Sequence, residues 1–253
     1  MSRLTLVRRA IEVVMTEGPC GLMNRTTTFL KWRVLSLLER NERTRSLYYR
    51  LFDPIEYWEQ RYADDRDAGP GSRGGHRQFK ADFLNTFVDR NDITSVLEFG
   101  CGDGVQVELA EYPSYVGLEI SKSAIRACSR RFANDETKSF FLYDPPHFLN
   151  RGALEAELVL SLEMVFHLVD DAIFEKTMHD MFGASTKYVI IFSSNCEEPT
   201  PELHVRHRRF TDYVVENFPN FDLIEKVENE YEARVSDFYV YEKQSEHGGD
   251  LPS

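Results

Sequence analysis

An apolar run closes on a carboxylate and three alternating glycines in Val96-Leu97-Glu98-Phe99-Gly100-Cys101-Gly102-Asp103-Gly104. Residues without side chains let a backbone turn sharply and press against a bound ligand. A strand ending in such a turn predicts an α/β fold with its ligand at the carboxyl ends of the strands. The spacing is Gly-x-Gly-x-Gly; a dinucleotide fingerprint needs glycine or alanine where Val105 stands. A second apolar run, Tyr115-Val116-Gly117-Leu118, leads to Glu119, fifteen residues beyond Gly104.

The rest of the pattern extends this unit. Phe79, Phe83, Phe87 and Val88 have helical spacing and predict a helix before the first strand. Strands are expected over 95–99, 115–120, 139–143, 157–162 and 187–193. A helix is expected to start near Val105. Another is capped by Ser121, with Ile125, Ser129 and Phe132 on one face. A third is capped by Asp170 or Asp171, turns Phe174, Met178, Met181 and Phe182 inward, and closes at Gly183. Thr211 caps a last helix that Pro219 ends, and strands near 223–229 and 236–243 pair antiparallel. The alternation predicts a doubly wound, Rossmann-like seven-stranded sheet, mostly parallel, with a C-terminal antiparallel hairpin and an N-terminal helical extension. The boundaries are a basic helical extension over 1–55, a lid or linker over 56–77, the ligand-binding domain over 78–244 and a polar tail over 245–253.

Charge narrows the partners. The net charge is −12, split into +6 over residues 1–50 and −18 over the remainder. An acidic body argues against nucleic acid, whose phosphates require a basic surface. The basic extension is expected to pack on the domain or a second subunit, or to touch an anionic membrane or a phosphate-bearing, lipid-linked substrate. The oligomeric state has no signature in the sequence. Cys20, Cys101, Cys128 and Cys196 are far apart, so neither a metal site nor a disulfide framework is expected. With no membrane-span run and no apolar signal-peptide core, a cytoplasmic protein is expected, touching at most the inner membrane face. Tyr57-Trp58-Glu59-Gln60-Arg61-Tyr62 precedes four glycines and a proline within 69–75. This stretch reads as a linker, or as a lid in which Trp58 and Tyr62 cover apolar surface and Arg61 meets a carboxylate.

The carboxylates at the strand ends carry the chemistry. Glu119 can accept hydrogen bonds from both hydroxyls of a ribose, and Asp144, after the third strand, from an adenine amine. Glu98 is placed to orient the turn or to face the amino-acid part of the ligand. Val96 to Gly104, Val116-Gly117-Leu118-Glu119-Ile120-Ser121 and Leu158-Val159-Leu160-Ser161-Leu162-Glu163 resemble the successive motifs of class I S-adenosylmethionine-dependent methyltransferases, over about 56–243. Glu98 and Glu119 stand where aspartate is commoner. Tyr57 to Tyr62, the glycine stretch and His204-Val205-Arg206-His207-Arg208-Arg209 look like a subgroup of small microbial methyltransferases that occur with surface-glycan assembly enzymes.

The resemblance implies S-adenosyl-L-methionine as cofactor, held by Glu98, Gly100, Cys101, Gly102, Gly104, Glu119, Asp144, Leu162, Trp58 and Arg61, and in-line displacement at its methyl group. His167, just past the fourth strand, is a candidate base or a packing histidine; His204 and His207 are the other candidate bases. Arg206, Arg208 and Arg209 are either a solvated basic face or a grip on a substrate anion, the helix dipole offering cations nothing there. The expected reaction is O-methylation of a small or glycan-linked acceptor such as a uronic acid, whose carboxylate needs no base. The alternatives are an N- or S-acceptor, a nicotinamide-dependent sugar oxidoreductase that Val105 counts against, and a non-catalytic cofactor-binding partner.

Overall fold

The computed structural model describes residues 49, 52–63, 74–202, 204–230 and 236–244. The helices expected over 1–50, most of the glycine stretch and the polar tail lie outside the described residues. The chain divides into Met1–Phe52 and Asp53–Ser253, and the elements below belong to the second unit.

That unit opens with α1 (Pro54–Ala63), so the aromatic stretch at 57–62 is helical. Pro54 suits the first helical position, and Asp53 caps the helix by accepting the Glu56 N–H at 3.0 Å. α2 (Gly74–Arg90) follows, burying Ala81, Leu84, Phe87 and Val88. Then come β1 (Val96–Phe99), β2 (Tyr115–Glu119), α3 (Lys122–Arg131), β3 (Lys138–Leu142), β4 (Ala156–Leu162), α4 (Asp171–Ala184), β5 (Ser185–Ser194), α5 (Phe210–Asn217), β6 (Phe221–Val227) and β7 (Ser236–Lys243).

The sheet order is β3-β2-β1-β4-β5-β7-β6. The first five strands are parallel, while β7 runs antiparallel to both β5 and β6. This is the expected seven-stranded sheet with its terminal hairpin. Alternate residues feed two cores. Leu97, Phe99, Val159 and Ile191 pack with Phe174 and Met178 of α4 and Phe210 of α5. Val96, Leu158, Leu160 and Ile190 pack with Leu84 and Phe87 of α2. Burial on both faces is why these strands read as continuous apolar runs. The chain winds outward from β1 to β3 and returns to β4 on the other side of β1. The carboxyl ends of β1 and β4 therefore flank the switch point, where such sheets bind ligands.

Four local expectations are corrected. The helix expected from Val105 is a single 3-10 turn, Gln106–Leu109. Pro113 restrains the residue before it from helix, and Asn85 holds the turn by donating to the Leu109 carbonyl and accepting the Glu111 N–H. Ser121 does cap α3, but the buried face is Ala124 and Cys128, with Ile125 only half-buried and Ser129 exposed. Asp170 caps α4, yet Gly183 does not close it, since the helix runs through Ala184 directly into β5. Thr211 is not the cap of α5; Arg209 takes that position, and the Thr211 hydroxyl is engaged with Asn195. Among the described residues, no helix is long and apolar enough to cross a membrane, and no cluster of metal-ligating side chains occurs.

Candidate functional site

The glycine turn follows β1 with Gly100, Gly102 and Gly104 all at positive φ. Gly100 has no room for a side chain: a Cβ there would lie 2.6 Å from Met164 Cγ, so the turn packs directly on the segment that follows β4. The Cys101 and Cys128 thiols both reach the Gly102 carbonyl, and the Cys128 thiol together with burial pushes the Cys101 thiol well above its ordinary range.

Glu119 ends β2 and ties the turn to it. One carboxylate oxygen accepts the Gly102 N–H at 3.1 Å and the other the Ser121 N–H at 2.9 Å. Burial raises its carboxyl above the usual range against the pull of these bonds. A carboxylate offers about four acceptor positions, so with the Ile120 N–H also acting on it acceptor capacity remains for a ribose hydroxyl. Asp144 lies just past β3 as expected, half exposed and bonded to His147 Nδ1 at 2.9 Å. The other Asp144 oxygen can accept from an adenine amine, while Pro145 and Pro146 offer no backbone N–H beside it. Leu162 is buried at the end of β4.

Glu98, expected to orient the turn or to face the amino-acid part of the ligand, is engaged with β2. It is buried on the α2 side of the sheet, and its carboxylate accepts the Tyr115 hydroxyl at 2.6 Å. Burial pushes its carboxyl up to about 7 despite Tyr115 and nearby Lys80. It therefore braces the turn from beneath.

Helix α1 lies across these strand ends. Glu59 accepts hydrogen bonds from the Ser121 hydroxyl and from the N–H and hydroxyl of Ser123, at the first turn of α3. Tyr62 faces Glu119 and Asp103, which together with burial raise its hydroxyl well above the ordinary range. Trp58 meets the His167 ring edge to face at 4.9 Å, Tyr57 stacks on His204 at 4.8 Å, and Arg61 lies 5.5 Å over the Trp58 ring. One helix thus covers both the turn side and the histidine side of the crevice.

His167 and His204 stack at 5.1 Å. His167 Nδ1 lies 2.8 Å from the His204 carbonyl. A carbonyl only accepts, so Nδ1 carries the proton and Nε2 a lone pair. Burial lowers His167 to about 3. Burial, then the Arg61 charge, lowers His204 to about 4. His207 is bonded to the Ser194 hydroxyl at 2.6 Å and is lowered by burial. All three imidazoles are therefore neutral near pH 7.

The loop arginines divide. Arg206 donates to the Val169 carbonyl and pairs with Asp171. Arg208 donates to Leu168 and Val169, pairs with Asp171 and lies over the Phe174 ring. Both staple the 204–209 loop to the start of α4, while Arg209 is exposed.

Three residues were missed from the sequence. Glu59 lay inside the expected lid without a role. Glu163, the last residue of the third motif, has φ 57° and accepts the Lys80 ammonium at 2.7 Å. Lys80 is 2% exposed, which nothing in its sequence neighbourhood announces beyond its place among aromatics.

No protein-family model and no curated protein matches the sequence. Solved structures do match. The N-methyltransferase NodS from Bradyrhizobium japonicum WM9, in complex with S-adenosyl-L-homocysteine, is 15% identical, with TM-score 0.62 over 77% of this chain and 100% of that one. Magnesium protoporphyrin IX methyltransferase from Synechocystis PCC 6803, with S-adenosylmethionine bound, is 13% identical, with TM-score 0.58 over 76% and 98%. An S-adenosylmethionine-dependent methyltransferase from Clostridium acetobutylicum is 10% identical, with TM-score 0.52 over 65% and 91%. The fold is that of the S-adenosylmethionine-dependent methyltransferases.

Proposed function

We propose that the chain is an S-adenosylmethionine-dependent methyltransferase that transfers the methyl group to an oxygen of a small acceptor, in particular a carboxylate oxygen. The observation that carries the cofactor reading is Glu119, buried at the end of β2 and fixed by backbone N–H groups, with acceptor capacity left over. That donor set fits a ribose diol, and the glycine turn beside it fits the close approach of an adenosine.

When bound, the cofactor supplies an electrophilic methyl group on a sulfonium. The chain's own contribution is to position, enclose and exclude water. Holding two reactants in line can be worth several orders of magnitude in rate. Helix α1 supplies enclosure, with Tyr62 over the turn and Trp58 and Tyr57 against the histidines.

The acceptor class follows from the histidines. A hydroxyl nucleophile must lose a proton to a base, and an effective base has a pKa near the working pH. His167 and His204, lowered to about 3 and about 4, are poor bases there. A carboxylate needs none, and Arg61 is the charge beside them that would receive it. A uronic acid, free or glycan-linked, esterified at its carboxylate, is the acceptor that best joins these features. Anion recognition then rests on Arg61, the cation beside the histidines. By its chemistry the reading favours an O-acceptor over an N- or S-acceptor, and by its fold a methyltransferase over a nicotinamide enzyme. Contact of residues 1–50 with a membrane or a lipid-linked saccharide belongs to the same proposal.

The test is transfer from methyl-labelled cofactor to uronic-acid-bearing glycolipids and to amine metabolites. Expected is label on the uronic acid that mild alkali releases as methanol. Label confined to an amine, or stable to alkali, overturns the carboxylate assignment.

A further inference from the structure

A buried lysine and a carboxylate pair at the switch point. Glu98 lies at the end of β1 and Glu163 one residue past the end of β4, with Lys80 of α2 reaching between them. The ammonium is bonded to Glu163 at 2.7 Å and is close enough to Glu98 to pull against the effect of its burial.

The two carboxylates are not equivalent. Glu98 is 3% exposed and turned onto Tyr115, whereas the Glu163 side chain is 18% exposed. Lys80 occupies one Glu163 oxygen, and the other has no hydrogen-bond partner among the described residues. The backbone of Glu163 is left-handed at φ 57°, a conformation that costs a residue with a side chain roughly 1–2 kcal/mol. It persists because the Glu163 N–H donates to the Phe192 carbonyl at 2.7 Å while the carboxylate is held by Lys80. Such strain gathers where a side chain must be aimed. It places Glu163 beside the glycine turn, since the next residue, Met164, packs on Gly100.

Resting on the cofactor reading above, we infer that Glu163 receives the α-ammonium of the cofactor's amino-acid end and that Lys80 is the positioning residue that aims it. The ammonium meets the Glu163 oxygen that Lys80 leaves open, and no atom is transferred. The sequence offered Glu98 for this end of the ligand or for orienting the turn; the inference gives the ligand's end to Glu163.

Calorimetric titration separates the two readings, using S-adenosylhomocysteine, which carries the amino-acid end, and methylthioadenosine, which lacks it. Glu163→Gln keeps size and hydrogen-bonding capacity, and Lys80→Met keeps apolar bulk; thermal melts without ligand establish that each variant folds. Losing a charge-assisted hydrogen bond should weaken S-adenosylhomocysteine about tenfold or more in E163Q, and several-fold in K80M. Methylthioadenosine should change by less than about twofold in both, since no such bond is lost. If the folded variants lose both ligands alike, or neither, the inference is overturned while the cofactor reading stands. If the wild-type protein binds neither ligand, the cofactor reading falls and the inference with it.

Discussion

Glu59 accepts two hydrogen bonds from Ser123, from the N–H at 3.0 Å and from the hydroxyl at 2.7 Å. Burial works against this carboxylate, but the bonds from Ser123 and Ser121 prevail and hold it below its ordinary range. They fasten α1 to the first turn of α3, the side of the crevice that Glu119 and Tyr62 occupy. Since α1 covers the glycine turn, it must release this latch for a cofactor to leave.

Glu59→Ala should therefore accelerate release of S-adenosylhomocysteine by about tenfold, the scale of a lost charged hydrogen bond in a partly exposed setting. Stopped-flow fluorescence reads this through Trp58, whose ring lies against His167. An unchanged release rate would mean that α1 is not what retains the ligand.

Glu98 predicts a pH dependence of stability. Its carboxyl is raised from 4.5 to about 7 in the folded chain, mainly by burial. The folded state therefore holds a proton that the unfolded state has lost, and this contribution is fully present below pH 4.5 and disappears as pH rises through about 7. Glu98→Gln keeps an acceptor for Tyr115 but cannot ionise. Relative to wild type it should gain on the order of 2 kcal/mol at pH 8 over its standing at pH 5. Urea unfolding at the two pH values checks this, and a parallel loss in both proteins would sink it.

The strands, their order of use and the carboxylate ladder were legible because each is local. A short apolar run ending in Glu98, Glu119 or Asp144 announces both a strand and its functional end. The errors fall where one element is overruled by another. The helix after the glycine turn gave way to Asn85, twenty-four residues earlier, which holds Leu109. Arg206 and Arg208 read as free cations because their partner, Asp171, lies on a different element. The Lys80–Glu163 pair joins residues eighty-three apart, a contact that only the folded sheet makes. Burial was equally hidden: it lowers His167 to about 3, which no local pattern announces.

That last point has its own test. His167 falls from 6.5 to about 3 in the fold, chiefly through burial. The folded state refuses a proton that the unfolded state takes, so this histidine's contribution is complete above pH 6.5 and is lost as pH falls towards 3. For the reaction, no limb near pH 6.5 should come from it. His167→Asn retains an N–H for the His204 carbonyl, and should lower kcat by less than about tenfold while leaving the shape of the rate profile intact, well short of the 10²–10⁴ that a true general base supplies. Removal of an acid limb, with a loss of that larger size, would restore His167 as a base and make the acceptor a hydroxyl.

Gly100 and Met164 couple the two halves of the crevice. A Cβ on residue 100 would meet Met164 Cγ at 2.6 Å and Cβ at 2.9 Å, and its backbone has φ +83°. Gly100→Ala thus carries two penalties of different origin: the left-handed conformation, worth about 1–2 kcal/mol, and a clash that displaces Met164 and with it Glu163 and the turn bearing His167. Met164→Ala relieves the clash but not the conformation. In the double variant the conformational cost should remain, while the added loss of S-adenosylhomocysteine affinity caused by Gly100→Ala largely disappears. A double-mutant cycle read on both stability and affinity separates them. Additive losses on both scales would show that the glycine is needed for its backbone alone, and that the turn after β1 and the segment after β4 move independently.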